Sequence, residues 1–118
     1  MLKEIMIGAN NVKFLSNGAT PLFYKQIFKS DLLKQLNGDG LEIASDKIPE
    51  LGFVMAKQAE EHTIADMMKL SYESYIEWLS QFEPLDVVLK SAEIANVYLS
   101  DSIPSEEPKK KVKGEASE

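Results

Sequence analysis

The chain contains no arginine and no cysteine, and among its 118 residues there is one histidine and one tryptophan. The missing cysteines exclude disulfides, thiolate catalysis, zinc-finger sites and cysteine-held iron–sulfur clusters. The missing arginine removes the side chain that most often holds phosphate, guanine or carboxylate through two parallel hydrogen bonds. Thirteen lysines face nineteen acidic residues, a net charge of −6, and an excess of that sign opposes an electrostatic grip on nucleic acid or anionic lipid. No apolar run approaches the roughly 18 residues of a bilayer span, and the opening residues lack the apolar core of a signal peptide. The expectation is a soluble, cytosolic protein with no nucleic-acid or membrane partner.

What is present suits a packed domain. A hydrophobic content of 44% with 27% charged residues is close to the globular average, which argues against wholesale disorder. The length fits one domain able to fold around a single core.

Residues 4–16 alternate around Gly8-Ala9-Asn10-Asn11, with Ile5 and Ile7 before the turn and Val12 and Phe14 after it. That pattern predicts a β-hairpin leaning on another element. Thr20 as N-cap with Pro21 at the first helical position predicts a helix over 21–36, stopped by Asn37-Gly38, although Ser30-Asp31 is a candidate break inside it. A Gly- and Asp-rich loop at 37–47 carries Leu41-Glu42-Ile43 as a short extended piece. Pro49 opens a second helix that ends at Glu60-Glu61. Thr63 with Asp66 resembles a capping box and predicts a third helix from about 64 to 82. Its apolar positions Ile64, Met67, Met68, Tyr75, Ile76, Leu79 and Phe82 form one helical stripe. Glu83-Pro84 then starts a fourth helix, 84–99, whose apolar residues nearly surround it and mark it as central. From 101 onward the composition shifts to Ser, Pro, Glu and Lys, which cannot bury enough apolar area to order itself, so 101–118 is expected to be a flexible tail. The fold class is mainly α: a compact bundle of about four helices over residues 1–100, with an N-terminal hairpin.

Catalytic constellations are missing. His62 has no second histidine or cysteine to complete a metal set, which needs three or four ligands. Aligning Gly40 with the glycine of a calcium loop puts Gln35 at the first ligand position, Glu42 where an apolar residue belongs and Asp46 in place of the closing glutamate. A helix stop and turn is the better reading there. No base is placed to activate a nucleophile and no phosphate-cradling glycine motif occurs, so neither enzymatic activity nor a cofactor is expected. Tyr72, Tyr75, Trp78 and Phe82 are the candidate partner-binding residues. Trp78 and Tyr72 lie off the main stripe, where unburied aromatics anchor protein–protein contacts. Lys109, Lys110 and Lys111 sit among Glu106, Glu107, Glu115 and Glu118, so they make no basic patch.

Two stretches together carry a resemblance. Residues 14–29, Phe-Leu-Ser-Asn-Gly-Ala-Thr-Pro-Leu-Phe-Tyr-Lys-Gln-Ile-Phe-Lys, resemble the N-terminal "GATP…Y+Q.F" signature of tail assembly chaperones from long-tailed, siphovirus-type phages and prophages of Gram-positive bacteria. Residues 75–86, Tyr-Ile-Glu-Trp-Leu-Ser-Gln-Phe-Glu-Pro-Leu-Asp, are similar to that family's "EWL..FEP.D" junction between its last two helices, and Met55-Ala56-Lys57-Gln58-Ala59 fits its middle helix. The likeness spans roughly residues 10–100 in order. One departure is that relatives often carry arginine near Lys25.

The resemblance implies a non-enzymatic factor of the host bacterial cytoplasm, absent from the mature virion. It would bind and solubilise the tape measure protein and help recruit tail tube subunits. In lambda-like systems a longer product made by a −1 ribosomal frameshift contacts the tube protein, and consecutive lysine codons form slippery sequences, so Lys109, Lys110 and Lys111 are candidate frameshift-encoded residues. Self-association is left open. The alternative from another class is a small acidic phage regulator that antagonises a host nucleic-acid-binding protein.

Overall fold

A computed structural model describes residues 2–36 and 40–102. Chain order is β1 (Leu2–Ile7), β2 (Asn10–Leu15), α1 (Thr20–Phe28), β3 (Leu33–Leu36), β4 (Gly40–Ile43), a 3-10 turn (Ser45–Lys47), α2 (Ile48–Ala59), α3 (Ile64–Met68), α4 (Tyr72–Leu79), α5 (Asp86–Leu89) and α6 (Ser91–Ser102). The fold is mainly helical with the expected N-terminal hairpin, and β3 and β4 add a second one.

β1 and β2 pair antiparallel from Leu2 opposite Leu15 to Ile7 opposite Asn10. The two-residue turn places Gly8 at φ +61°, the sign that the first central position of a type II′ hairpin turn demands. Ile5, Ile7 and Phe14 are buried, while Glu4, on the outer face, accepts a hydrogen bond from Asn11 Nδ2.

α2 is the central element, in place of the fourth helix expected from the sequence. Six consecutive residues, from Leu51 to Ala56, are buried, so the helix is covered around its whole circumference rather than along one stripe. It packs against β2, α6, α1 and α4. A Cβ added at Gly52 would lie 3.3 Å from Ile94 and 3.6 Å from the Phe14 ring. The lack of a side chain there lets α2 sit close to both neighbours. α6 lies alongside and buries Ile94, Val97 and Tyr98.

Three helix boundaries differ from expectation. α1 ends at Phe28, because Lys29 turns left-handed at φ 62° and its N–H closes onto the Lys25 carbonyl. The next leucine-rich stretch, Leu33–Leu36, pairs with Gly40–Ile43 as a strand. The expected stop at Asn37-Gly38 lies outside the described residues. The third helix is broken between Met68 and Tyr72, where Ser71 is extended and exchanges hydrogen bonds with Ser74 in a capping box. A serine that satisfies the backbone locally makes a new start cheaper than a continuous helix. The fourth is divided at Lys90 into α5 and α6, and α6 continues through Ser102. Residues 103–118, most of the expected tail, lie outside the described residues.

The first helix is held by a polar ring rather than by the expected cap. Ala19, not Thr20, is the N-cap residue. Thr20 Oγ1 accepts from the Asn17 N–H at 2.9 Å and donates to Gln58 Oε1 at 2.7 Å. Gln58 Nε2 donates to Asn17 Oδ1 at 3.1 Å, and that oxygen also accepts from the Ala19 N–H at 2.9 Å. Each buried polar atom named here has a partner, which is what burial requires. Next to this ring, Ser16 Oγ donates to the Val97 carbonyl. No described helix is long and apolar enough to cross a membrane.

Candidate functional site

Tyr72, Tyr75, Trp78 and Phe82 are linked by ring contacts through Phe53, but they divide between core and surface. Trp78 is only 5% exposed, packed 5.9 Å from Phe53 and 5.0 Å from Phe82, centroid to centroid. The expectation of Trp78 as a surface anchor is therefore corrected: α4 turns it inward onto α2. Tyr75 is also buried, edge-on to Phe28 at 5.2 Å and 5.6 Å from Phe53. Phe82 is half-buried. Tyr72, by contrast, is 57% exposed while still touching Phe28 and Tyr75. Lys109, Lys110 and Lys111 lie outside the described residues.

Between α4 and α5 runs a groove of about 260 Å³ lined by Pro49, Tyr75, Leu79, Phe82, Glu83, Pro84, Val87 and Val88. Local chemistry sets its shape. α4 starts at the Ser71 capping box. After Phe82 the chain reverses through Glu83-Pro84-Leu85-Asp86, where the Asp86 N–H donates to the Glu83 carbonyl and Asp86 Oδ2 accepts from the Glu83 N–H, both at 3.0 Å. That reciprocal pair explains the acid of the FEP.D stretch as a turn-forming residue. Asp86 also closes over the first hairpin: a Cβ on Gly8 would fall 2.5 Å from its Oδ2. The groove wall is thus tied to the tip of β1 and β2.

Around the groove, apolar side chains face outward. Tyr72 and Ile76 on α4, and Leu85, Val88 and Leu89 at α5, are all exposed, Leu89 to 75%. The sequence pattern places Ile76 in the expected helical stripe and Leu85, Val88 and Leu89 on the helix expected to be central. The signal that could have found them was the surplus: a short helix cannot bury apolar residues on every side against one neighbour. Ile64 and Met68, also assigned to the buried stripe, are exposed on α3. Ile64 borders a second apolar cleft of about 290 Å³ with Leu15, Phe23, Met67 and His62.

The ionisable groups of the described residues sit mostly in exposed pairs. His62 Nε2 lies 3.0 Å from Glu60 Oε1 in the α2–α3 connection. No cluster of three His, Asp or Glu side chains able to hold a metal exists among the described residues. Burial, reinforced by the hydrogen bond from its phenol to Glu50, pushes Tyr24 far above the usual tyrosine range. Burial and then the Glu50 charge push Tyr75 up to about 12. Both phenols therefore stay neutral at physiological pH. Tyr75 serves the groove as an apolar wall, and the arrangement as a whole can hold an apolar segment.

No protein-family model matches the chain, and no curated protein or solved structure matches it either.

Proposed function

We propose that this chain is a tail assembly chaperone of long-tailed phages or prophages of Gram-positive bacteria. In this reading it acts in the host cytoplasm, binds the tape measure protein, keeps it soluble and is absent from the finished virion. Recruitment of tail tube subunits falls mainly to a longer frameshifted form, with the codons of Lys109, Lys110 and Lys111 as the slippage site. It needs no cofactor and performs no catalysis.

The observation that carries the reading is the apolar groove between α4 and α5, built from the same EWL..FEP.D stretch that resembles the family. A chaperone must offer apolar surface to a client helix while its own copies stay apart, and a net charge of −6 supplies that repulsion. Of the two signature stretches, the second shapes this groove through the Asp86 turn, while the first joins α1 to α2 through the Asn17–Thr20–Gln58 ring.

Co-expression with the tape measure protein of the same gene cluster, followed by size-exclusion chromatography with mass determination, tests this. A soluble complex containing both chains is expected. An insoluble tape measure protein with this chain eluting alone overturns the proposal. The frameshift is tested separately by the nucleotide sequence: AAG-only lysine codons, or no overlapping downstream frame, would sink it.

A further inference from the structure

We infer that the occupant of the α4–α5 groove is a short cationic amphipathic helix, two to three turns long, with its apolar face seated on the groove and lysine or arginine along its flanks. This rests on the chaperone reading, since it names the kind of client segment that the same site takes. Two observations on independent properties carry it. The first is shape and polarity: Ile76 and Val88 stand exposed beside a groove floored by Tyr75 and Leu79. α4 is eight residues long, about 12 Å at 1.5 Å per residue, which matches two to three turns of a partner helix. The second is charge. From residue 70 to residue 89 the chain has no lysine, while it carries Glu73, Glu77, Glu83 and Asp86. Glu73 and Glu77 are exposed on α4 beside Tyr72 and Ile76, and Glu83 is exposed and lines the groove, so carboxylates flank the apolar strip along α4 and at the turn that follows it. The lysine that follows, Lys90, is taken up by Glu93 at 3.4 Å. An apolar helix flanked by carboxylates would be repelled by them, while one flanked by ammonium or guanidinium groups would be attracted. The same carboxylates disfavour a second copy of α4 in the groove, because it would bring like charges together.

The test uses the full chain and three synthetic 18-residue peptides, followed by calorimetry and by fluorescence of the single tryptophan, Trp78, which touches Phe82 in the groove wall. One peptide places leucine on a helical face flanked by lysine. The second replaces each lysine by glutamate, and the third scrambles the first so that no helical face remains. The first should bind at least tenfold more tightly than either control. Val88→Lys should abolish that binding, while Glu73→Lys with Glu77→Lys should reverse the preference toward the glutamate peptide. Because these positions are exposed, circular dichroism of the variants should be unchanged. Equal binding of the lysine and glutamate peptides, or binding unaffected by Val88→Lys, overturns the inference. So does a Val88→Lys variant whose only change is from oligomer to monomer, which would assign the groove to a second copy. If the tape measure complex forms normally with Val88→Lys, the groove assignment fails and the chaperone reading stands. If the lysine peptide binds but the tape measure protein does not, the reverse holds.

Discussion

Thr20 Oγ1 donates a 2.7 Å hydrogen bond to Gln58 Oε1, joining the start of α1 to the end of α2 across 38 residues. Both side chains are buried. Replacing Thr20 by valine keeps the shape but leaves Gln58 and the Asn17 N–H short of a partner, which costs about 1–3 kcal/mol. Thr20→Ser keeps the hydroxyl and should lose less. Urea unfolding checks this, with a lower midpoint and an unchanged slope expected for Thr20→Val.

Gly8 is constrained twice, by its positive φ and by the Asp86 carboxylate that occupies the space of a side chain. Gly8→Ala should destabilise by about 1–3 kcal/mol from the backbone strain alone, with more from the clash. A double-mutant cycle separates the two contributions. In an Asp86→Ala background the penalty at position 8 should shrink but not vanish.

Trp78 and Tyr72 should behave oppositely. Trp78→Ala empties the centre of the aromatic cluster and should cost about 3–5 kcal/mol, as large buried truncations do. Tyr72→Ala removes edge contacts with Phe28 and Tyr75, worth about 1 kcal/mol, and should leave the fold intact while weakening client capture. Thermal unfolding combined with pull-down of the tape measure protein distinguishes them. A weakened pull-down by Trp78→Ala alone would report unfolding rather than a lost contact.

Alkaline stability should track the two raised phenols. In the unfolded chain Tyr24 and Tyr75 ionise near 10, whereas in the folded chain Tyr75 is held up to about 12 and Tyr24 higher still. Between these values the unfolded state binds fewer protons, so stability falls as pH rises. The stabilisation is complete below pH 10 and is lost progressively as pH climbs through about 12. Tyrosinate absorbance at pH 11 should show fewer ionised phenols in the native protein than in denaturant.

The parts of this architecture that the sequence foretold are those decided by local chemistry. Gly8 marks the hairpin turn, and Pro21 and Pro49 mark helix starts because each sits in the first turn, where its missing N–H costs nothing. The parts it hid are those that neighbours decide. Leu32, Leu33 and Leu36 suit a helical face as well as a strand, and only the Lys29 turn and the pairing with Gly40–Ile43 settle the matter. On α4, Tyr75 and Trp78 share one face at helical spacing while Tyr72, Ile76 and Leu79 share another. Phe53 on α2 decides which of the two faces is the core. The groove was hidden for the same reason, since it is the face left over once the core has been chosen.

The hydrogen bond from Ser16 to the Val97 carbonyl spans 81 residues, and its consequence is a matter of timing. The hairpin packs on α2 and also on α6, so its seat is complete only once α6 docks. Closing that loop costs entropy before its contacts reward it, so docking of α6 on the hairpin is expected to come late in folding. A fragment ending at Leu89 lacks α6, which packs on α2, β1 and β2, and should be digested rapidly by protease, whereas the intact chain resists. Until α6 docks, a protein proposed to shelter another chain's apolar segment has an uncovered one of its own.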